Sequence, residues 1–218
     1  MSKNKIKIWG IKSSPFVRKV MITLYEKNLA FSQEEVLPDS FMVLMKQKSN
    51  PRFLEISPLG RIPAIEVDDF YVSDSAVIMK FLEQKFPDEI ALYPNKLEEL
   101  AKVLWLENFS DNDFARVATR RIFYEAYGKP KAFGINANSD LLKKAIEEQL
   151  PPLLCYLENN LSNKSFFVGS QLSAADIAIT TQLLALELAN YNIDNSKYPK
   201  LDNFLNKMKT RASIKKLL

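Results

Sequence analysis

Residues 5–24 read Lys5-Ile6-Lys7-Ile8-Trp9-Gly10-Ile11-Lys12-Ser13-Ser14-Pro15-Phe16-Val17-Arg18-Lys19-Val20-Met21-Ile22-Thr23-Leu24. Within this stretch the hydrophobic period changes. Ile6, Ile8 and Trp9 form a short apolar run with strand propensity, ended by Gly10. From Val17 onward, Val17, Val20, Met21 and Leu24 fall at i, i+3, i+4 and i+7, which is one face of a helix. Between the two, Ser14-Pro15 reads as an N-cap followed by proline in the first helical turn. The chain therefore delivers a serine hydroxyl to the end of a strand and to the positive end of a helix. Gly60-Arg61-Ile62-Pro63 and Ser73-Asp74-Ser75 read as the stretches that complete the same place.

Outward from this unit, 31–36 reads as a second strand, Pro38-Asp39-Ser40 as a turn, and 41–53 as helical or irregular, broken by Asn50-Pro51. Residues 64–67 and 70–72, joined by Asp68-Asp69, read as a β-hairpin. Ser73-Asp74-Ser75 then caps a helix that buries Val77, Ile78, Phe81 and Leu82. Residues 86–95 hold Pro87 and Pro94 and show no period, so they read as a linker. Everything afterwards is helical: a long helix from Leu97 to about Tyr127 stopped by Gly128-Lys129-Pro130, a segment over 141–161 kinked or split by Pro151-Pro152, a helix lined by Ile177, Thr181, Leu184 and Leu188, and one or two short helices after Pro199. The expected organisation is a βαβ-ββα domain over 1–85, a linker over 86–95 and an all-α domain over 96–218.

Composition narrows the chemistry. The 218 residues carry 30 Lys+Arg against 26 Asp+Glu, a formal charge of +4, and the lysines alternate with glutamates instead of forming a block. That pattern speaks against nucleic acid as a partner. No run approaches the length of a membrane span and the N-terminus has no apolar signal core, so the expectation is a cytoplasmic protein without a membrane partner. The chain has no histidine and one cysteine, Cys155. Ser-His-Asp and Cys-His nucleophilic systems, histidine metal sites, an internal disulfide and a Cys-x-x-Cys redox pair all drop out. Chemistry must then come from hydroxyls, carboxylates, cationic side chains, backbone groups or a bound cofactor, and no metal is expected.

Several separated motifs, in this order, resemble those of the soluble glutathione transferases: Ser14-Pro15-Phe16-Val17-Arg18-Lys19-Val20, Asn50-Pro51, Gly60-Arg61-Ile62-Pro63-Ala64, Asp74-Ser75 and Leu172-Ser173-Ala174-Ala175-Asp176. Each is weak alone; together, with a helical second half, they are specific. The pattern is closest to bacterial and zeta- or tau-like members of the serine type. The resemblance implies a thioredoxin-like domain packed against a helical bundle, with glutathione as co-substrate and a homodimer as the assembly. It implies that the Ser14 hydroxyl donates to the glutathione sulfur, Ser14 and Val20 keeping the family's spacing, with Ser13 as competitor. Lowering a thiol pKa by about two units takes roughly 2.7 kcal/mol of preference for the anion. One charge-assisted hydrogen bond plus a helix N-terminus is of that size. It further implies a cis Pro63 that turns the Ile62 backbone towards the cysteinyl part of glutathione, with Arg61 beside the glycyl carboxylate. Asp74 and Ser75 would hold the γ-glutamyl end, where the bland alternative is N-capping alone.

Other residues read structurally. Ser173 to Asp176 is a capping box with Leu172 placed as a staple against Ile177. Cys155 reads as packing, and the basic run from Lys207 to Lys216 as a solvated helix face. A pocket for the second substrate would draw on Phe16, Trp105, Asn108, Phe109, Arg116, Arg120 and Tyr124, each of which could equally be core or surface. The expected function is a glutathione transferase joining the thiolate to an electrophilic small molecule, as in detoxification. A glutathione-dependent isomerase or peroxidase is a variant of the same site. The alternative from another class is a non-catalytic, transferase-like regulator of the stringent-starvation kind, which loses the glutathione residues that this chain retains.

Overall fold

In the computed structural model, which describes residues 5–161 and 164–218, the opening stretch folds as its period change predicts. Strand β1 (Ile6–Trp9) runs into α1 (Pro15–Glu26). The first four residues of the expected N-terminal domain, and 162 and 163 in the helical part, lie outside the described residues. The chain forms two compact units, Met1–Ala91 with Leu217 and Leu92–Lys216 with Leu218.

The first unit is built on a mixed sheet of order β2-β1-β3-β4, with β2 (Ser32–Glu34), β3 (Ala64–Val67) and β4 (Phe70–Ser73). β2 pairs parallel to β1, and β3 and β4 add in antiparallel fashion. This is the thioredoxin-like arrangement. Ile8, Val17, Val20, Leu24, Ile65, Ile78 and Leu82 are fully buried between the sheet and two packed helices, α1 and α4 (Ser75–Lys85). Two short helices, α2 (Asp39–Leu44) and α3 (Pro51–Ile56), fill the connection from β2 to β3. Asn50-Pro51 begins a helix here instead of merely breaking one. The Asn50 carboxamide accepts from the backbone N–H groups of Arg52 (2.9 Å) and Phe53 (3.4 Å), and Pro51 takes the first-turn position where no N–H is needed. At the end of α1, Lys27 is fully buried and donates to the Glu83 carboxylate and the Ile90 carbonyl, both at 2.8 Å.

The second unit is helical throughout. α5 (Leu97–Phe109) continues through a π-helical turn at Ser110–Phe114, α6 (Ala115–Val117) and a longer π-helical stretch at Ala118–Gly128 into α7 (Lys129–Phe133). The stop expected at Gly128-Lys129-Pro130 is therefore displaced. A proline removes its own N–H and crowds the carbonyl four residues back, but the wider π-turn shifts that register and lets the helix pass. Gly134 ends it, with φ +65 and an N–H donated to the Pro130 carbonyl at 2.9 Å. Pro151-Pro152 is handled in the same way: α8 (Ser139–Lys144) joins α9 (Leu150–Leu161) through a π-helical turn at Ala145–Gln149. α10 (Ala174–Leu188) is buried on every side from Ala174 to Leu186, as expected of a helix without a polar face. α11 (Pro199–Lys209) and α12 (Ala212–Lys215) close the unit. Among the described residues no helix is long and apolar enough to cross a membrane, and no group of three or more Asp, Glu or Cys could hold a metal.

Candidate functional site

Strand register brings the three singled-out stretches together. Trp9 at the end of β1 pairs with Ala64 at the start of β3, and Ala64 pairs with Ser73 at the end of β4. Gly10 to Ser14, Ile62-Pro63 and Asp74-Ser75 thus leave the sheet in one row along one edge. Gly10 sits at φ +136, and a Cβ there would lie 2.5 Å from Val17 Cγ2 and 3.0 Å from Ile62 Cβ. Only glycine lets the first junction close against the second.

Ser14 is the N-cap of α1, in extended backbone and 9% exposed. Its hydroxyl oxygen accepts from the Val17 N–H at 3.5 Å, at the long limit of a hydrogen bond. A hydroxyl offers two acceptor lone pairs and one proton, so this cap leaves the proton free to donate. Ser13, its neighbour, is half-buried.

The Ile62–Pro63 bond is cis, as the resemblance implies. The loop before it is held by a residue that sequence reasoning passed over. Ser57, buried, donates its hydroxyl to the Arg61 carbonyl (2.8 Å) and accepts from the Arg61 N–H (3.1 Å). Gly60, at φ +59, is packed so tightly on Asp39 that a Cβ would lie 2.1 Å from that side chain, and its carbonyl accepts from the Asp39 N–H. The Ser57-Pro58-Leu59-Gly60 turn was the available signal, and it signals shape without naming the serine as a clamp. Arg61 itself is exposed. Among the described residues, neither the N–H nor the carbonyl of Ile62 has a hydrogen-bond partner.

Asp74 links this loop to α4. Its N–H donates to the Pro63 carbonyl at 3.4 Å, and its carboxylate accepts from the N–H groups of Ala76 (3.0 Å) and Val77 (3.2 Å). Its φ of +82 is a conformation that non-glycine residues hold at a cost of about 1–3 kcal/mol. Ser75 follows, 4% exposed, and neither its N–H nor its hydroxyl is engaged by another described residue. The row thus presents a serine proton, an unpaired peptide unit, and an N–H with a hydroxyl at the positive end of a helix. That set suits an extended ligand carrying a thiol, a peptide backbone and a terminal carboxylate.

Below the row, Glu66 binds the sheet to α3. It accepts from the Trp9 indole N–H (2.7 Å) and the Arg52 guanidinium (2.8 Å). Burial pushes its carboxyl up, but these two donors outweigh burial and hold it below the ordinary carboxylate range.

The residues expected to line a second-substrate pocket have mixed placements. Phe16 is half-buried on α1. Trp105 is 54% exposed on α5 and donates its indole N–H to the Tyr156 hydroxyl at 2.7 Å. Phe109 is buried, its ring against Phe114 and Tyr156, and belongs to the core of the helical unit. Asn108 accepts from the Asn112 carboxamide, and Arg116 pairs with Asp113 at 3.4 Å. Arg120 is exposed and Tyr124 half-buried.

The family model for the glutathione S-transferase N-terminal domain matches residues 9–90, and that for the C-terminal domain matches 119–218. Among relatives, the chain is 28% identical over 215 residues to a probable glutathione S-transferase GSTF1 of Oryza sativa subsp. japonica, covering 97% of this chain and 94% of that protein. It is 29% identical over 188 residues to glutathione S-transferase DHAR2 of Arabidopsis thaliana, covering 85% of this chain and 72% of the relative. Among solved structures, a glutathione S-transferase from Rhodospirillum rubrum F11 superposes with a TM-score of 0.86 at 24% identity, over 98% of this chain and 91% of the other. Glutathione transferase F7 from Populus trichocarpa gives 0.81 at 24%, over 97% of both. At such identities these structures speak for the fold alone.

Proposed function

We propose that this chain, which belongs to the glutathione S-transferase family, holds glutathione along the edge of its N-terminal sheet and joins the glutathione sulfur to an electrophilic carbon. The observation that carries this reading is the row of unengaged groups: the Ser14 proton, the Ile62 peptide unit and the Ser75 N–H and hydroxyl. In this reading Ser14 donates to the sulfur, and with the N-terminus of α1 it favours the thiolate over the thiol. Ile62 pairs strand-like with the cysteinyl residue. Arg61 faces the glycyl carboxylate. Ser75 takes the γ-glutamyl carboxylate, and Asp74 stands beside its ammonium. The thiolate lone pair forms the S–C bond, and the displaced group leaves with its bonding electrons or, in an addition, the neighbouring carbon takes a proton.

A mechanism that needs a protein thiol at this place has none to use, because Ser13 and Ser14 stand there and Cys155, expected from sequence to pack, lies exposed on α9. The homodimer belongs to the same proposal. It is supported by Phe70, Tyr71 and Val77, which are 50%, 44% and 51% exposed on the N-terminal unit. Of the four positions expected on the buried side of α4, Ile78 and Leu82 are buried, Phe81 is half-buried and Val77 faces outward. A cytoplasmic site of action is part of it too. Calorimetric titration with reduced glutathione tests the core of the reading. Saturable binding at one site per chain is expected. A folded protein that gives no heat would return the non-catalytic alternative.

A further inference from the structure

The helical unit holds a cavity of about 430 Å³ that the glutathione reading does not use. Its size lies within the usual range for small-molecule sites, about 300–1,000 Å³. Among the described residues it is lined by Lys164, Ser165, Pro199, Lys200, Asn203, Phe204 and Lys207; the three lysines are exposed, and no carboxylate of the described residues lines it. Lys200, Asn203 and Lys207 fall at i, i+3 and i+7 of α11 and share one face. Phe204, 3% exposed and edge-on to Phe167 at 5.0 Å, gives the cavity a rigid apolar floor. Lys207 is steadied by the Phe166 ring, with its ammonium 5.1 Å above the centroid.

The basic residues of this region divide into two sets. Lys197 pairs with Asp194 at 3.6 Å and Lys209 with Glu187 at 2.7 Å. Among the described residues, Lys164, Lys200 and Lys207 form no ion pair. The three cations in the lining are among those without an ion pair. Glu158 is the acid close by, and both its oxygens are committed to the N–H groups of Lys200 (3.0 Å) and Leu201 (2.8 Å). The helix end is thereby closed to a ligand, and the ammonium groups are left to meet its charge. The run from Lys207 to Lys216, read from sequence as a solvated face, is exposed at Lys207, Lys215 and Lys216, while Lys209 pairs with Glu187.

We propose that this cavity binds a small polyphosphate. An anion of charge three or more seated among these ammonium groups gains attraction from each of them. The absence of arginine from the wall favours phosphate over carboxylate, since lysine binds phosphate as a point charge whereas carboxylates are matched by the planar guanidinium fork. Asn203 and Ser165 add neutral donors for the remaining oxygens.

The test titrates the full chain with inorganic tripolyphosphate at low ionic strength. Three proteins are compared: wild type, Lys200→Gln/Lys207→Gln, and Lys143→Gln/Lys144→Gln, which removes the same charge from exposed positions of α8. Saturable one-to-one binding is expected, weakened at least tenfold by the first pair and less than twofold by the second. Sulfate at matched ionic strength should bind at least tenfold more weakly. Equal losses in the two variants, equal binding of sulfate, or no saturable heat would overturn the proposal. So would displacement of tripolyphosphate by glutathione, which would place the anion at the other site. Because the residues belong to the second unit, the outcome stands apart from whether glutathione binds at all.

Discussion

Two serines stand at the N-cap positions of long helices in this chain, Ser14 before α1 and Ser173 before α10, and their surroundings differ in one respect. Around Ser173 the N–H and the hydroxyl are both spent. Asp176 accepts from the Ser173 N–H (2.8 Å) and hydroxyl (2.6 Å) through one oxygen, and from the Phe167 N–H (2.8 Å) through the other. Around Ser14 the cap bond is long, at 3.5 Å, no acidic residue occupies the first turn, and the hydroxyl proton is left over. The first cap fastens a loop to a buried helix. The second leaves the positive end of a helix open to whatever arrives. A capping motif is thus a bolt or a site according to whether its donors are already spent, and that is decided three residues along, by Asp176 in one helix and Val17 in the other.

The largest effect should come from breaking the bolt. Asp176→Ala strands two backbone N–H groups and a hydroxyl in fully buried surroundings, and should cost about 3–5 kcal/mol in urea unfolding. Glutathione affinity of the remaining folded protein should not change. The same residue gives a signed pH dependence. Burial pushes its carboxyl up to about 6 from 3.8, outweighing the bonds from Ser173 and Phe167. A folded pKa above the unfolded one means that stability from this group is fully present below about pH 4 and is lost as pH rises through 6. The unfolding free energy of wild type minus that of Asp176→Asn should therefore fall by about 2.4 kcal/mol between pH 4 and pH 7. A difference that rises instead would show that the three hydrogen bonds, and not burial, govern this carboxylate.

The next effect concerns the open cap. Ser14→Asp keeps an acceptor for the Val17 N–H but sets a negative charge where the glutathione sulfur is proposed to lie. Stability should stay within about 1 kcal/mol of wild type, the pKa of bound glutathione should rise by about two units, and reaction with a model electrophile at neutral pH should slow in proportion. Thiolate absorbance against pH reads the shift. Ser13→Ala should leave it in place. If Ser13→Ala moves the pKa and Ser14→Asp does not, the two serines exchange roles.

How much of this was legible beforehand follows from the kind of signal each element leaves. The β1–α1 junction could be read because strand and helix periods meet across Gly10 and Ser14-Pro15, and the hairpin because Asp68-Asp69 separates two apolar runs. Helix termination in the second unit was misplaced because a π-turn leaves no residue-type mark: Gly128 and Pro130 look like breakers, and only the widened turn before them makes them harmless. Of the site, Ser14, Pro63 and Ser75 were visible by motif. Ser57 was not, because its role is fixed by a four-residue loop closing on itself, nor was the tight fit of Gly60 on Asp39, which depends on α2 folding back. Nothing in residue type foretold that Lys207 would face a cavity while Lys209 pairs with Glu187, since that is settled by rotation about the helix axis.

The smallest effect sharpens the comparison most, because it falls at a cap that is both bolt and site. Asp74 spends one oxygen on the N–H groups of Ala76 and Val77, as Asp176 spends its own, yet Ser75 beside it keeps its donors. Asp74→Asn retains an acceptor oxygen, and asparagine tolerates the positive φ found here, so stability should change by less than about 1 kcal/mol. What it removes is the charge proposed to face the γ-glutamyl ammonium. Glutathione should bind roughly threefold to tenfold more weakly, as suits an exposed charge pair screened by water. An analogue lacking the amino group should reverse the order: with no ammonium to hold, the wild-type carboxylate only repels the ligand's own, so the variant should bind it equally well or better. Titration of both ligands against both proteins gives a double-mutant cycle. If Asp74→Asn weakens both ligands by the same factor, the residue acts only through the geometry of α4. The γ-glutamyl role would then belong to Ser75 alone.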